Sequence, residues 1–425
     1  MIYILYIVIS FQLIYLLLRN RIDFFLIFYA SFLLYHAHII NGVIWSPPYI
    51  IDVNIESIVI LLVISLIFQI FVLINDYYYR KIPDVDYDIK TEGDNYRISL
   101  ILLSISYIVS IYALYKAGWV IDGDKADFVR KSNLKYMFFM HFPAAMAMIY
   151  GIASKRKVII LLALIPLLFY LLIGFRATIV LTLIGVVGVF YHGEKILTKK
   201  IFILAVMLVS IFVFFVLYKI SYIGYQTDPS NFNLISHLST MAEGDRRFES
   251  IRELLMFYMF AAEWGQISTN LVLTSQQDMS NYHTFYDSFF GSITLLNTIL
   301  DIDPVNRRFS NAIELYANPG HSYGVGGTIW GEMFQAGGYA GVAIMTILVL
   351  SVIMYLNLKW KNRKNKVVFF MIYQAFLVFL VHKSDFTLVM GNLKNVLFLL
   401  LVSYIIIFLI KGKVVYSVYK PTVDK

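Results

Sequence analysis

The sequence predicts an all-α polytopic membrane protein, and three observations carry that reading. Of 425 residues, 60% are hydrophobic, 17% aromatic and only 15% charged, a balance few soluble domains reach. The apolar residues gather in runs such as 58–74, 158–173, 201–218 and 396–410, long enough to cross a hydrocarbon core of roughly 30 Å as helices. Lipid offers the backbone no hydrogen-bond partner, so such runs are helical. The lysines and arginines, finally, cluster on alternate connections between the runs.

Taken in order, the spans fall near 2–18, 23–44, 57–75, 97–115, 136–153, 158–173, 177–192, 201–223, 328–357, 367–382 and 395–411, about eleven transmembrane helices by the length rule. The first has neither a basic n-region nor a small-residue cleavage site, so it reads as a span and not as a cleaved signal. The ninth is the longest, with room for a shorter helix outside the bilayer at its start. No internal repeat and no Pro/Ser-rich linker divides the chain, so 1–425 reads as a single polytopic domain.

Orientation follows from the basic residues, which concentrate on the cytoplasmic side of short loops. One set of alternate connections holds Arg19 and Arg21, then Arg80, Lys81, Lys90 and Arg97, then 155–157, then Lys195, Lys199 and Lys200, then 359–366, then the lysines of the C-terminal tail. This places the N-terminus outside and the C-terminus in the cytoplasm. The formal net charge of +8 is thus spread over short cytoplasmic loops, which argues against a nucleic-acid partner. The absence of cysteine excludes disulfides, thiolate nucleophiles and thiolate metal sites.

The outer side carries the one long polar stretch, 224–325. It holds five arginines, Arg246, Arg247, Arg252, Arg307 and Arg308, and no lysine, whereas the cytoplasmic set is mostly lysine. A guanidinium presents a rigid planar fork that matches phosphate oxygens two at a time, which an ammonium cannot do. Salt bridging to the carboxylates of the same stretch, Asp301 and Asp303 among them, is the competing reading. Within the stretch, 246–264 has helical periodicity, with Ile251, Leu254, Leu255, Tyr258, Met259 and Ala262 on one face, as in an amphipathic helix lying on the membrane surface.

Two constellations carry candidate chemistry. Arg176 stands in Gly174-Phe-Arg176, at an outer turn between two spans. An arginine there is expensive unless paired or wet, and is a functional candidate by default, with snorkelling to headgroups as the alternative. The second runs from Asn318 to Gly341. His321 and Tyr323 stand just before the ninth span, Trp330 and Glu332 within its start, and Gly324, Gly327, Gly331, Gly338 and Gly341 follow a spacing that lines one helix face for close packing. His321 titrates in the range suited to a general base, and Glu332 is the alternative base. Asp84/Asp86, Asp122/Asp124 and Asp301/Asp303 match the short D-x-D pattern, too common in polar loops to assign a metal. His36 and His38, two apart, point to different helix faces and make a poor metal pair. His141 lies near the outer end of its span, within reach of the same face. Nucleotide-binding, serine-hydrolase and zinc-protease motifs are missing from the sequence.

The layout of spans, the large outer loop before the last few, Gly174-Phe-Arg176, and Gly327-Thr-Ile-Trp-Gly-Glu332 running on to Gly338-Tyr-Ala-Gly341 together resemble the O-antigen polymerases, the Wzy-type enzymes. The resemblance implies a GT-C-like membrane glycosyltransferase, free of metal and other cofactors. Its setting would be the outer face of a bacterial plasma membrane, as a multi-pass protein. It implies polymerisation of undecaprenyl-pyrophosphate-linked oligosaccharide repeat units into O-antigen, capsule or exopolysaccharide, by transfer of the growing glycan onto a new repeat. Arg176, Arg246, Arg247, Arg252, Arg307 and Arg308 would hold the pyrophosphate. His321 or Glu332 would take the acceptor proton, and Tyr282, Tyr323 and Trp330 would stack on sugar rings. Membrane lipids, a chain-length regulator and a flippase are the partners this implies. A flippase or transporter of the lipid-linked oligosaccharide, and an O-antigen ligase, are the alternatives.

Overall fold

The computed structural model describes residues 1–46, 49–82, 93–117, 134–154, 156–172, 236–240, 250–256, 264–276, 328–362 and 381–418, with a few isolated residues besides. These residues are overwhelmingly helical, as expected. Five helices are long and apolar enough to cross a membrane: Ile2–Arg19, Ile55–Lys81, Tyr96–Lys116, Ile329–Lys359 and Phe386–Ile410. They correspond to the expected spans 2–18, 57–75, 97–115, 328–357 and 395–411 and mark a helical membrane protein. The expected spans 177–192, 201–223 and 367–382 lie almost wholly outside the described residues.

The chain divides into two compact units. The first comprises Met1–Pro83, His192–Lys359 and Phe376–Gly391, and the second Asp84–Tyr191, Trp360–Ala375 and Asn392–Lys425.

The first unit begins with α1 (Ile2–Arg19), closed by Asn20 in the left-handed conformation, a standard helix stop. Asp23 then caps α2 (Phe24–Tyr35) by accepting from the Leu26 N–H at 3.1 Å. The sequence suggested one span over 23–44, but α2 stops at Tyr35 and rises only about 18 Å, short of a bilayer core. His36 leaves the helical conformation (φ −108°, ψ 13°), and a single turn, α3 (Ala37–Ile40), follows. Gly42 at φ +78° redirects the chain into β1 (Val43–Ser46), which pairs antiparallel with β2 (Tyr49–Asp52). Asn54 opens α4 (Ile55–Lys81) by accepting from the Ser57 N–H at 3.2 Å. Gln12 of α1 donates to the Ser65 carbonyl of α4 at 2.5 Å, pinning the two apolar helices at a buried polar point.

From the long polar stretch come α8 (Ile251–Met256) and α9 (Trp264–Gln276). The final elements are α10 (Ile329–Asn362) and α11 (Phe386–Val418). α10 is two helices joined at a break: Gly337 (φ −158°, ψ 21°) and Gly338 (φ +58°, ψ −148°) leave the helical region. The break accounts for its length and leaves a short helix ahead of the apolar run, as the sequence suggested. It also interrupts the expected glycine stripe between Gly331 and Gly341, while Gly324 and Gly327 lie outside the described residues. Gly331 gives room to the Thr274 side chain, Gly338 supplies the positive φ, and Gly341 lies against the Met333 carbonyl. Once the helix bends, these positions no longer share a face.

The second unit contains α5 (Gly93–Lys116), α6 (Leu134–Ala153) and α7 (Lys157–Leu172), packed on one another. Buried Ala113, Ala117, Phe128, Met140 and Tyr170 form its core. Ser106 donates to the Met140 carbonyl and Tyr107 to the Leu162 carbonyl, at 2.5 and 2.8 Å. Both contacts satisfy polar atoms that lipid would strand. His141 stacks on Tyr170 with ring centroids 4.2 Å apart.

Candidate functional site

The two ends of α4 carry different chemistry. At the C-terminal end, Arg19, Arg21, Asp23 and Asp76 form an ion cluster. Arg19 bridges Asp23 and, at 2.8 Å, Asp76. Arg21 bridges Asp76 at 2.7 Å and Asp23 at 3.2 Å. Tyr15 donates to Asp76 at 2.9 Å, and Asn357 of α10 donates to Asp23 at 3.2 Å and to Asn75 at 3.1 Å. The Asp23 side chain is 0% exposed. Two cations face two anions, so the cluster is internally neutral. It ties together α1, the start of α2, the end of α4 and the end of α10. Such a cluster is a latch and not an anion site, because its guanidiniums are already spent on carboxylates.

Asn54, at the other end of α4, is 22 residues from Asp76, about 33 Å along a helix axis. There the long polar stretch meets the helices. Asn54 donates to the Ser275 hydroxyl at 2.7 Å, and Gln335 of α10 donates to the Thr274 carbonyl. Ser268 donates to the Tyr35 carbonyl at 3.3 Å. α9 is thereby wedged against α2, α3, α4 and β1, with Ile267, Leu271 and Val272 buried beside Ser268, Asn270 and Thr274. The stretch 224–325 is therefore not wholly peripheral, since α9 is part of the core. The sequence placed an amphipathic helix over 246–264. Of this, Ile251–Met256 is described as helix, with Leu254 buried and Arg252 exposed.

The start of α10 organises the interior of this end. Glu332 is only 1% exposed, and its carboxylate accepts from the Phe386 N–H at 2.6 Å. It caps α11 together with Asp385, whose carboxylate accepts from the Leu388 N–H at 2.9 Å, at an end where the helix dipole favours negative charge. Trp330 is fully buried, and its indole N–H donates to His382 Nδ1 at 3.1 Å. His382 packs against Phe28 at 4.6 Å and edge-on to His36 at 5.6 Å. Among the described residues, neither buried ring nitrogen of His36 has a hydrogen-bond partner. His36 and His382 lie outside the five span-length helices, in turns. Burial pushes the His36 pKa down to about 3. Burial first, and the neighbouring His36 ring second, push the His382 pKa well below the ordinary imidazole range.

The sequence-derived residues therefore distribute as follows. Trp330 and Glu332 are brought together in the interior of the first unit, and Arg252 lies exposed on α8. Arg176, Arg246, Arg247, Arg307, Arg308, Tyr282, His321 and Tyr323 lie outside the described residues. His36 and His382 went unassigned in the sequence because they are distant along the chain and only packing unites them. Among the described residues, no group of three or more His, Cys, Asp or Glu is arranged to hold a metal ion. No family model matches the chain, and neither a curated protein nor a solved structure matches it.

Proposed function

We propose that this chain is a multi-pass glycosyltransferase of a bacterial plasma membrane that polymerises undecaprenyl-pyrophosphate-linked oligosaccharide repeat units at the outer face. The observation that carries the reading is the composition of 224–325, with five arginines and no lysine, in a chain whose remaining basic residues are mostly lysine. The ends of α4 support its sidedness. The Arg19/Arg21 cluster, with Arg80 and Lys81 close by in sequence, marks one end, and α9 from the long stretch packs at the other.

The chemistry suits the residues. As the donor glycosidic bond breaks, negative charge grows on the departing pyrophosphate. Preorganised guanidiniums of Arg176 and of the long stretch stabilise that charge more in the transition state than in the ground state. His321 takes the proton of the acceptor hydroxyl. Glu332 is assigned to holding the start of α11, because its carboxylate is buried and already accepts from Phe386. Tyr282 and Tyr323 remain the candidate stacking partners for sugar rings. In cells, Arg176→Ala is expected to leave only single-repeat product where the native chain makes a ladder. Loss of every glycan band would instead favour the ligase reaction, and an unchanged ladder would remove Arg176 from the mechanism. The break in α10 is the feature that favours a flippase, since transporters use discontinuous helices. Reconstituted lipid-linked sugar crossing a bilayer without bond formation would establish that reading.

A further inference from the structure

We propose that the surface around the break in α10 is a subsite for an uncharged sugar of the lipid-linked acceptor. In it, the Tyr339 and Phe334 rings seat the apolar face of the sugar and the Glu56 carboxylate accepts from its hydroxyls. The proposal rests on the polymerase reading for its substrate and on the following geometry for its place. Tyr339 is 40% exposed, and its ring meets that of half-buried Phe334 edge-on, with centroids 5.1 Å apart. Beside them, Gly337 and Gly338 open onto empty space, where an added Cβ would meet no atom within 4 Å. Glu56, in the first turn of α4, stands two residues from Asn54, whose bond to Ser275 neighbours the bond of Gln335 to Thr274, so the start of α4 lies close to this part of α10. The frame is held from behind by α9: Asn54 bonds Ser275 and Gln335 bonds Thr274. Those two amides are thus committed to the frame, while Tyr339 is exposed and Phe334 and Glu56 are half-buried.

The level is right for a lipid-linked sugar. From Tyr339 to Lys359 is 20 residues, about 30 Å of helix, so Tyr339 stands at headgroup height if Lys359 stands at the opposite interface. Glu56 is likewise at the opposite end of α4 from Lys81. Below Tyr339, exposed Ile344, Ile347 and Leu348 continue along the same helix toward the bilayer, so a polyprenyl carrier reaches the spot from the membrane. The chemistry selects the ligand. A sugar offers a C–H face to aromatic rings and hydroxyls to a carboxylate. A phosphate would be repelled by Glu56, so the pyrophosphate belongs with the arginines and this spot takes the neutral part of the acceptor.

The test uses the full chain in lipid nanodiscs and a panel of neutral methyl glycosides of glucose, galactose and N-acetylglucosamine, read by saturation-transfer NMR against empty nanodiscs. At least one glycoside is expected to bind the native chain. Glu56→Gln and Tyr339→Ala should each weaken that binding by about tenfold, the loss of one charge-assisted hydrogen bond or one stacking contact. Tyr339→Phe, which keeps the ring, should retain most of it, and a thermal melt of each variant guards against misfolding. Absence of binding to the native chain, a signal equal to that of empty nanodiscs, or binding untouched by both substitutions would overturn the subsite. The binding readout does not depend on polymer formation. If the native chain binds a glycoside through Tyr339 and Glu56 but makes no polymer, the subsite stands and the polymerase reading falls. If it makes polymer but fails these binding tests, the reverse holds.

Discussion

His36 carries a buried imidazole whose ring nitrogens find no hydrogen-bond partner among the described residues, an arrangement that normally costs about 1–3 kcal/mol per stranded polar group. His36→Phe keeps the ring contacts with Phe32 and His382 and removes the stranded nitrogens. It is therefore expected to leave thermal stability unchanged or raise it, as measured by a melt in detergent. A clear loss would mean that the imidazole has a partner essential to the fold. The same burial sets a pH dependence. The His36 pKa is depressed to about 3, whereas an unfolded histidine titrates near 6.5. The unfolded chain then binds more protons in that window, so stability is full above about pH 6.5 and falls as the pH drops through it. His36→Phe should flatten this acid-side slope, and an unchanged slope would assign it to other groups. Sequence could show His36 and His38 two apart and reject them as a pair. It could not show that the partner is His382, because only the tertiary packing of two distant turns brings those rings together.

At the scale of elements, α10 shows how much a glycine pattern conceals. The spacing of Gly331, Gly338 and Gly341 is equally compatible with a packing stripe in a straight helix and with a broken helix. The choice is made by backbone conformation, which spacing does not encode. Gly338 holds φ +58° and ψ −148°, a combination essentially reserved for glycine. Gly338→Ala should therefore destabilise the chain by about 1–3 kcal/mol even though open space surrounds the position. Ala336→Gly, two residues earlier and exposed, should cost no more than about 1 kcal/mol. Equal effects of the two in a denaturation series would count against a strained break. α9 was hidden for a different reason. Its buried face mixes Ile267, Leu271 and Val272 with Ser268, Asn270 and Thr274, which in sequence reads as a polar loop. The polar atoms are tolerated because they bond to backbone carbonyls, as Thr274 does to Asn270 and Leu271. α4 lay in plain view, since an Asn cap, an acidic first turn, an unbroken apolar run and a basic last turn all agree.

For the molecule as a whole, helical membrane class was legible from composition, because apolar runs of this length have no other stable outlet. The ion cluster at the end of α4 was half legible: Arg19, Arg21 and Asp23 are neighbours in sequence, but their pairing with Asp76 needs the end of α4 to return against that turn. The sidedness assigned to the chain is open to a direct check, because a chain without cysteine lets each introduced thiol report alone. In intact cells, a membrane-impermeant maleimide should label His237→Cys and Arg252→Cys, and should reach Lys195→Cys and Lys359→Cys only after permeabilisation. The opposite pattern would invert the topology and move the arginine-bearing stretch to the cytoplasm.

The most direct measurement is polymerisation by the purified chain, given undecaprenyl-pyrophosphate-linked repeat units in the presence of EDTA. A ladder of products is expected to form without divalent metal and to collapse to the single repeat in Arg176→Ala and in the combined Arg307→Ala, Arg308→Ala variant. A native chain that extends nothing, or arginine variants that build the ladder at the native rate, would contradict the polymerase reading.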